Sequence, residues 1–521
     1  MPPSERTVVL QARHSGAILA RLMSSDLSSP TSSVASAVAR ARAAQPAWAA
    51  LPVADRVEAL RPVADRVLAQ AESIAACVHD EVGKPDVEAL LGEVLPTADV
   101  VAYWSKVVGD LLEPTEIELD ALSYPGKSGT LHREARGVVG VIMPWNFPVA
   151  LPLRTIVPAL LAGNAVVFKP SEVTPRSGDI IAKLFEGLLP EGVLQLVQGG
   201  GEVGAALSSA DVDLIVFTGS VATGRKVAHA CAERLSPCAV ELGGKDAAIV
   251  MADADLDRAA NGIAWGAMMN AGQNCAAVER VYVDRKVADA FTQKVVAVVA
   301  KLRPGIDVGP LATSAQRSVV ARHVREARDA GATVLSGGIE GADAGGESRE
   351  YPPTVVKVEA DGMSLMSDET FGPVLPIAVV DGVDEAIARA NASRYGLTAS
   401  LWTRDKEKGR ILAHKLRAGV VTINNHAFTG AIPAAPWSGH GETGWGITGS
   451  TLALDTLTRP RFVLVDSSRG KSELWWYPYT PALRNVALAM ATLRCGTAGL
   501  FARIGALFRL VGAMLSRARG Q

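Results

Sequence analysis

Between residues 165 and 251, short apolar runs repeatedly end at a turn and give way to a segment with helical spacing. AVVFKPSE (165–172) precedes a helix predicted from Pro175, and VLQLVQGG (193–200) precedes GEVGAALSSA. DLIVFTGS (213–220) runs into VATGRKVAHACAERL, and AVELGGKDAAIVM (239–251) into DLDRAANGIAWGAMMN. Strands buried on both faces read as continuous apolar runs, and the helices between them return the chain across the sheet. The rhythm therefore predicts a mostly parallel sheet covered by helices. A second stretch, 276–430, repeats it, with strands predicted near RVYVD, TVVKV, VLPIAVV, TASLWT and GVVTIN. Upstream, residues 31–113 space apolar side chains by three and four, as helices do. LHREARGVVGVIMPWNFP (131–148) alternates and then becomes continuously apolar, as strands do. The fold class is α/β, in two lobes with a cleft between them.

Composition excludes several classes of function. A chain of 521 residues with 48% hydrophobic and 20% charged residues folds rather than remaining disordered. Its net charge of −2 supplies no basic field for nucleic acid. The five cysteines, Cys77, Cys231, Cys238, Cys275 and Cys495, are odd in number and scattered, without a CxxC pair or zinc-like spacing. That argues against a disulfide framework and for a reduced compartment. MPPSERTVVLQARHSG at the start has no apolar run behind a basic segment, so no secretory signal is expected and cytoplasmic residence follows.

The end of the chain breaks the pattern. No acidic residue follows Glu473, while six arginines do. In GLFARIGALFRLVGAMLSRAR (499–519), Leu500, Phe501, Ile504, Leu507, Phe508, Val511, Met514 and Leu515 share a broad helical arc opposite Arg503, Arg509 and Arg517. The arginines argue against a spanning helix. Two readings stay open: a basic amphipathic helix on a membrane surface, or a helix packed on the protein or on a second subunit.

Several motifs combine residue types suited to chemistry, each beside a plainer alternative. GSVATG (219–224) ends a strand and opens a helix, where glycines admit a phosphate to free N–H groups; ordinary strand–helix turns look the same. Lys169 and Glu172 in FKPSE stand past a strand end, where α/β folds bind ligands, or are surface charge. Glu241 in ELGGK is a general base if its cleft is apolar, otherwise a strand-end glutamate. Asn146 in PWNFP is a rigid amide suited to an oxyanion, or a capped turn. ETFGP (369–373) joins a carboxylate, an aromatic and a tight turn. Cys275 in NAGQNC is either a nucleophile or a buried small residue, since free cysteine is among the most buried types.

Taken in order, PWNFP, FKPSE, FTGSVATG, ELGGK, NAGQNC, ETFGP and YGLTASLWT resemble the NAD(P)-dependent aldehyde dehydrogenase superfamily in sequence and spacing. AQPAWAALPVADR and AGVVTINNH extend the likeness over Ser32–Asp466. The resemblance implies that Cys275 attacks the aldehyde carbon to give a thiohemiacetal, and that Asn146 and the Cys275 N–H hold the oxyanion. Hydride transfer would leave a thioester, and Glu241 would activate the water that hydrolyses it. For the cofactor it implies Ser220, Gly219 and Gly224 at the pyrophosphate, and Lys169 and Glu172 at the adenosine ribose. Glu369 would hold the nicotinamide ribose, with Phe371 and Trp145 beside it. Glu172 favours NAD, with NADP as the alternative.

The same resemblance implies a Rossmann-like NAD-binding domain (1–121 and 137–243), a catalytic domain (244–450) and an oligomerisation element (122–136 and 451–466) that makes homodimers or homotetramers. Residues 467–521 are a C-terminal extension whose LWWYPY (474–479) resembles the ends of fatty aldehyde dehydrogenases, which points to long-chain or hydrophobic aldehydes. AAVER (276–280) lacks the polar residue common after the cysteine, and Ser438 replaces a common glycine in PWSGHGETGWG. Both bear on the shape of the substrate pocket. Glu241 favours hydrolysis over a CoA-acylating reaction, and the intact set of motifs argues against a catalytically silent membrane-binding relative.

Overall fold

The computed structural model describes residues 29–518, apart from 121–122, 339–346, 427, 470, 472, 474 and 496. Leu122 of the oligomerisation element, Leu474 of LWWYPY and Arg519 of the last segment lie outside the described residues. The described chain forms two compact units, 29–114 with 132–461, and 115–131 with 462–518.

The described residues open on helices, from Pro30–Ala49 to Leu95–Leu112, as the spacing predicts. Pro30 suits the first turn, where no N–H partner is needed, and the Ser29 hydroxyl accepts the Ser32 N–H at 3.2 Å. Two antiparallel strands follow, β1 (Thr115–Ile117) and β2 (Lys127–Ala135).

Then come β3 (Val138–Ile142), β4 (Ala165–Lys169), β5 (Leu194–Leu196), β6 (Leu214–Thr218) and β7 (Cys238–Glu241). They pair in parallel in the order β5-β4-β3-β6-β7. β3, β4 and β6 are buried at every position, which is why they read as unbroken apolar runs. Winding runs outward from β3 to β5 and then resumes on the other side with β6. The carboxyl ends of β3 and β6 therefore flank a crevice where ligands bind in such sheets.

A second sheet holds β8 (Asp246–Val250), β9 (Val278–Asp284), β10 (Thr333–Ser336), β11 (Thr354–Val358), β12 (Val374–Val380), β13 (Thr398–Trp402) and β14 (Val420–Ile423). Its order is β10-β11-β12-β9-β8-β13-β14, parallel except between β10 and β11. The apolar pattern runs on through 239–251, whereas the resemblance divides the domains between 243 and 244. The structure breaks the segment at Gly243–Gly244 and gives β7 to the first sheet and β8 to the second. Glycine is required there: a Cβ on Gly243 would lie 2.2 Å from Glu369 Oε2, and one on Gly244 2.5 Å from the Cys275 carbonyl.

β15 (Thr458–Asp466) closes a three-stranded sheet in the order β1-β2-β15. Phe462, Val463, Leu464 and Val465 are exposed along this edge strand. In the same unit, helices Pro481–Arg494 and Leu500–Ala518 pack through Val486, Ala489, Ala506 and Leu510. No helix among the described residues is long and apolar enough to cross a membrane.

Candidate functional site

Asp255 caps helix Leu256–Met268 by accepting the Arg258 N–H at 3.1 Å, and that helix delivers NAGQNC. The helix ends in a turn of three left-handed residues, Asn270 (φ 55°), Ala271 (φ 54°) and Gly272 (φ 70°). Glycine adopts this region freely, whereas alanine pays about 1–2 kcal/mol there. A Cβ on Gly272 would meet the Gly372 carbonyl at 2.1 Å. Hydrogen bonds hold the turn. Asn270 N–H donates to Glu88 Oε2 (2.9 Å), and Asn270 Nδ2 donates to the carbonyls of Asn146 (2.9 Å) and Gln273 (3.0 Å). Gln273 Nε2 returns a bond to the Asn270 carbonyl, and its Oε1 accepts the Ala312 N–H. The amide-rich motif is thus a brace for the cysteine that follows it.

Cys275 stands where two cavities meet. One, about 260 Å³, lies at the carboxyl ends of β3, β6 and β7, lined by Trp145, Asn146, Gly219, Ser220, Glu369 and Phe371 among others. The other, about 220 Å³, is walled largely by apolar side chains, including Leu91, Val100, Phe147, Leu151, Trp265 and Phe428. Both include Cys275. From the second sheet the site receives the loops that enter β8, β9 and β12. It therefore forms where exits from one sheet face entrances to the other.

Asn146 follows β3 and is buried; its backbone carbonyl accepts Lys84 Nζ (2.9 Å) and Asn270 Nδ2. Its side-chain oxygen is buried without a hydrogen-bond partner. Glu241 ends β7, also buried, and accepts Trp437 Nε1 at 3.1 Å. Burial pushes the Glu241 carboxyl up; Trp437, Thr218, Arg154 and Cys275 pull it partly back. The Cys275 thiol is raised well above the usual range by burial and then by the carboxyls of Glu241, Asp246 and Glu369. Arg154, at the apolar cavity, is lowered to about 10 by burial, against the pull of Glu241 and Cys275. Burial thus raises the proton affinity of both the thiol and the carboxyl.

The other sequence candidates separate by position. Trp145 and Phe371 meet edge to face with centroids 5.6 Å apart, and both line the first cavity. Glu369 accepts the Gly244 N–H at 3.1 Å, and burial followed by repulsion from Glu279 raises it to about 8. Ser220 caps helix Val221–Glu233 with its own hydroxyl, accepting the Thr223 N–H at 3.3 Å. Gly224 lies within that helix, and a Cβ there would strike Leu242 at 2.4 Å, so close packing requires a glycine here. Lys169, the last residue of β4, pairs with Glu172 at 3.0 Å, and neither is among the residues lining the cavity.

Sequence reasoning missed the residues that hold these groups. Lys245, at the end of ELGGK, is buried against Glu279 at 2.5 Å and donates to Thr370 Oγ1. Glu279 accepts the N–H groups of Thr370 and Phe371, both at 2.8 Å, and so fixes the ETFGP loop. Lys84 pairs with Glu93, which accepts the N–H groups of Val149 and Ala150 beyond PWNFP. An apolar-period reading takes such residues for exposed faces. Only long-range partners reveal them as buried, apart from GKP and GGK, where glycine beside lysine hints at close packing.

Residues 13–463 match the family model described as "Aldehyde dehydrogenase family". A 4,4'-diapolycopene aldehyde oxidase of Methylomonas sp is 36% identical over 85% of this chain and 83% of its own length. A putative succinate-semialdehyde dehydrogenase [NADP(+)] of Mycolicibacterium smegmatis is 37% identical over 87% of this chain and 90% of its own. The solved NAD+ complex of an aldehyde dehydrogenase from Bacillus cereus is 33% identical with a TM-score of 0.79, covering 84% of this chain and 89% of that one.

Proposed function

This chain belongs to the aldehyde dehydrogenase family, and from that premise we propose that it oxidises a hydrophobic aldehyde to the carboxylic acid by covalent catalysis at Cys275, followed by hydrolysis. The observation that carries the reading is the position of Cys275, which borders both the apolar cavity and the cavity at the carboxyl ends of the first sheet. An aldehyde reaching Sγ through the first would face a cofactor held in the second.

The second cavity fits a nicotinamide dinucleotide. It offers a helix N-terminus at Ser220 for an anion, a carboxyl at Glu369 for hydroxyls and aromatic walls at Trp145 and Phe371. The cofactor, when bound, supplies the hydride acceptor and a positive charge that favours ionisation of the nearby thiol. Sγ attacks the carbonyl carbon, and the Asn146 amide and the Cys275 N–H receive the oxyanion. Loss of hydride leaves a thioester on Cys275. Glu241, with its proton affinity raised by burial, takes a proton from the attacking water, and the acid departs as the thiol re-forms. Lys169 and Glu172 serve the adenosine ribose. Glu172, exposed and paired with Lys169, is accessible to a 2′-hydroxyl, which favours NAD over NADP.

The apolar lining of the substrate cavity supports a hydrophobic aldehyde, as does the likeness to an oxidase of a long polyene aldehyde. In the C-terminal unit, Phe501 and Phe508 are 89% and 75% exposed although Ala506 and Leu510 on the same helix are packed. This outward row among arginines supports contact with an anionic membrane surface. The exposed apolar edge of β15 supports homo-oligomers formed by strand-to-strand contact.

Cys275→Ser tests the central claim. It should abolish NADH formation while the protein still folds and binds NAD; surviving turnover removes the reading. NADH formation in the absence of CoA separates hydrolysis from acylation, because strict dependence on CoA would overturn the hydrolytic route.

A further inference from the structure

Residues 84–93 touch the site at three points that the reaction above does not use. Lys84 Nζ donates to the Asn146 carbonyl and lies 4.0 Å from the Phe147 ring centroid. Its partner Glu93 accepts the Val149 and Ala150 N–H groups. Between them, on helix Asp86–Ala89, Glu88 Oε2 accepts the Asn270 N–H at 2.9 Å. One short segment therefore grips both the strand exit that carries Asn146 and the turn that carries Cys275.

We propose that Glu88 is a positioning residue for the nucleophile: its hydrogen bond holds Asn270 at the head of the left-handed turn, which sets Cys275 against Asn146. The proposal rests on Cys275 being the nucleophile. The turn needs an outside anchor because Ala271 gains nothing from its left-handed conformation. Asn270 links the parts directly, since its N–H goes to Glu88 while its side chain reaches the Asn146 carbonyl. Glu88 also lines the apolar cavity beside Cys275, so the anchor is within reach of a bound aldehyde. Burial raises its carboxyl to about 7, against the pull of the Asn270 N–H and of Lys84.

Three variants test this: Glu88→Ala removes the acceptor, Glu88→Gln keeps an oxygen in place, and Ala271→Gly relieves the turn. Displacing a reacting group costs rate steeply, so Glu88→Ala should lower kcat about tenfold or more, with the Kd for NAD unchanged. Glu88→Gln should recover most of kcat, and adding Ala271→Gly to Glu88→Ala should raise kcat about threefold or more, because glycine enters the left-handed region without alanine's steric cost. Alkylation of Cys275 by iodoacetamide, followed on its peptide by mass spectrometry, should change about threefold or more in Glu88→Ala and return in Glu88→Gln. Should Glu88→Ala not fold, Glu88→Asp, which withdraws the carboxylate by one methylene, is held to the same criteria. Wild-type kcat and wild-type alkylation in the anchor-deleted variant overturn the proposal, as does failure of both Glu88→Gln and Ala271→Gly to restore function. Turnover that survives Cys275→Ser would instead overturn the reading beneath it, and the alkylation rates would still judge the anchor.

Discussion

Trp437 Nε1 donates to Glu241 Oε1 at 3.1 Å, and the Trp437 ring lies 5.7 Å from the Arg154 guanidinium carbon. The indole thus joins the proposed base to a buried cation at the substrate cavity. A hydrogen bond to a carboxylate favours its charged form and fixes which oxygen faces the thioester.

Trp437→Phe keeps the ring and removes that donor. The first turnover should still release NADH as a burst, because thiol attack and hydride transfer do not require Glu241. Hydrolysis should slow about tenfold or more, since the base loses both orientation and charge stabilisation. Stopped-flow NADH absorbance separates the two phases. An unchanged steady state after the burst would remove Trp437 from the deacylation step.

Glu369 connects chemistry to stability. Its folded pKa of about 8 lies well above that of a free glutamate, near 4.3. The folded protein therefore binds a proton that the unfolded chain has released across this interval. The associated stability is fully present below about pH 4 and is lost as pH rises towards 8. Glu369→Gln should flatten the fall in Tm of the ligand-free protein between pH 5 and 8, a range chosen inside that interval. The same fall in wild type and variant would show that another group dominates; Asp246, also raised to about 8 by burial, is the next to test.

The parts legible in the sequence are those with local signatures. β3, β4 and β6 are buried on both faces, so their apolar runs identify them without knowledge of their neighbours. The roles proposed for Cys275, Glu241 and Asn146 rest on the order of short motifs rather than on any one of them. The split at Gly243–Gly244 is not local, and only the resemblance puts a domain boundary there: which sheet β8 joins depends on its pairing with β9 and β13. Gly224 was legible as a glycine, but its reason, the approach of Leu242, comes from a strand exit eighteen positions away in sequence. Glu88, Glu93 and Glu279 are charged residues whose backbone N–H partners are 56 to 182 residues distant, and no period marks them.

Glu279 supplies a prediction of that non-local kind. Its carboxylate pairs with buried Lys245 and holds the N–H groups of Thr370 and Phe371. Removing one member of a buried pair leaves the other uncompensated, at a cost of about 3–5 kcal/mol. Glu279→Gln should lower Tm and raise the KM for NAD, because the loop that carries Glu369 and Phe371 loses its anchor. Differential scanning fluorimetry measures the first effect, and initial rates over a range of NAD concentrations measure the second. A lowered Tm with an unchanged KM for NAD would confine Glu279 to a structural role.

The C-terminal helix pair gives the last prediction. Leu500, Phe501, Ile504, Leu507, Phe508 and Val511 remain exposed while Ala506 and Leu510 face helix Pro481–Arg494. One face of helix Leu500–Ala518 is thus committed to packing, and the outward arc is the apolar arc seen in the sequence. Arg503 is tied to the Cys495 carbonyl at 3.0 Å, beside the junction of the two helices. Deleting 480–521 should reduce flotation with vesicles containing anionic phospholipid. It should also reduce activity on long-chain aldehydes, which partition into bilayers, while sparing short ones. High salt should weaken flotation of the full chain only in part, because burial of the phenylalanines is not screened. Equal flotation of the two forms would assign the arc to a second copy of the chain. Sedimentation velocity would then show a smaller assembly for the truncated protein.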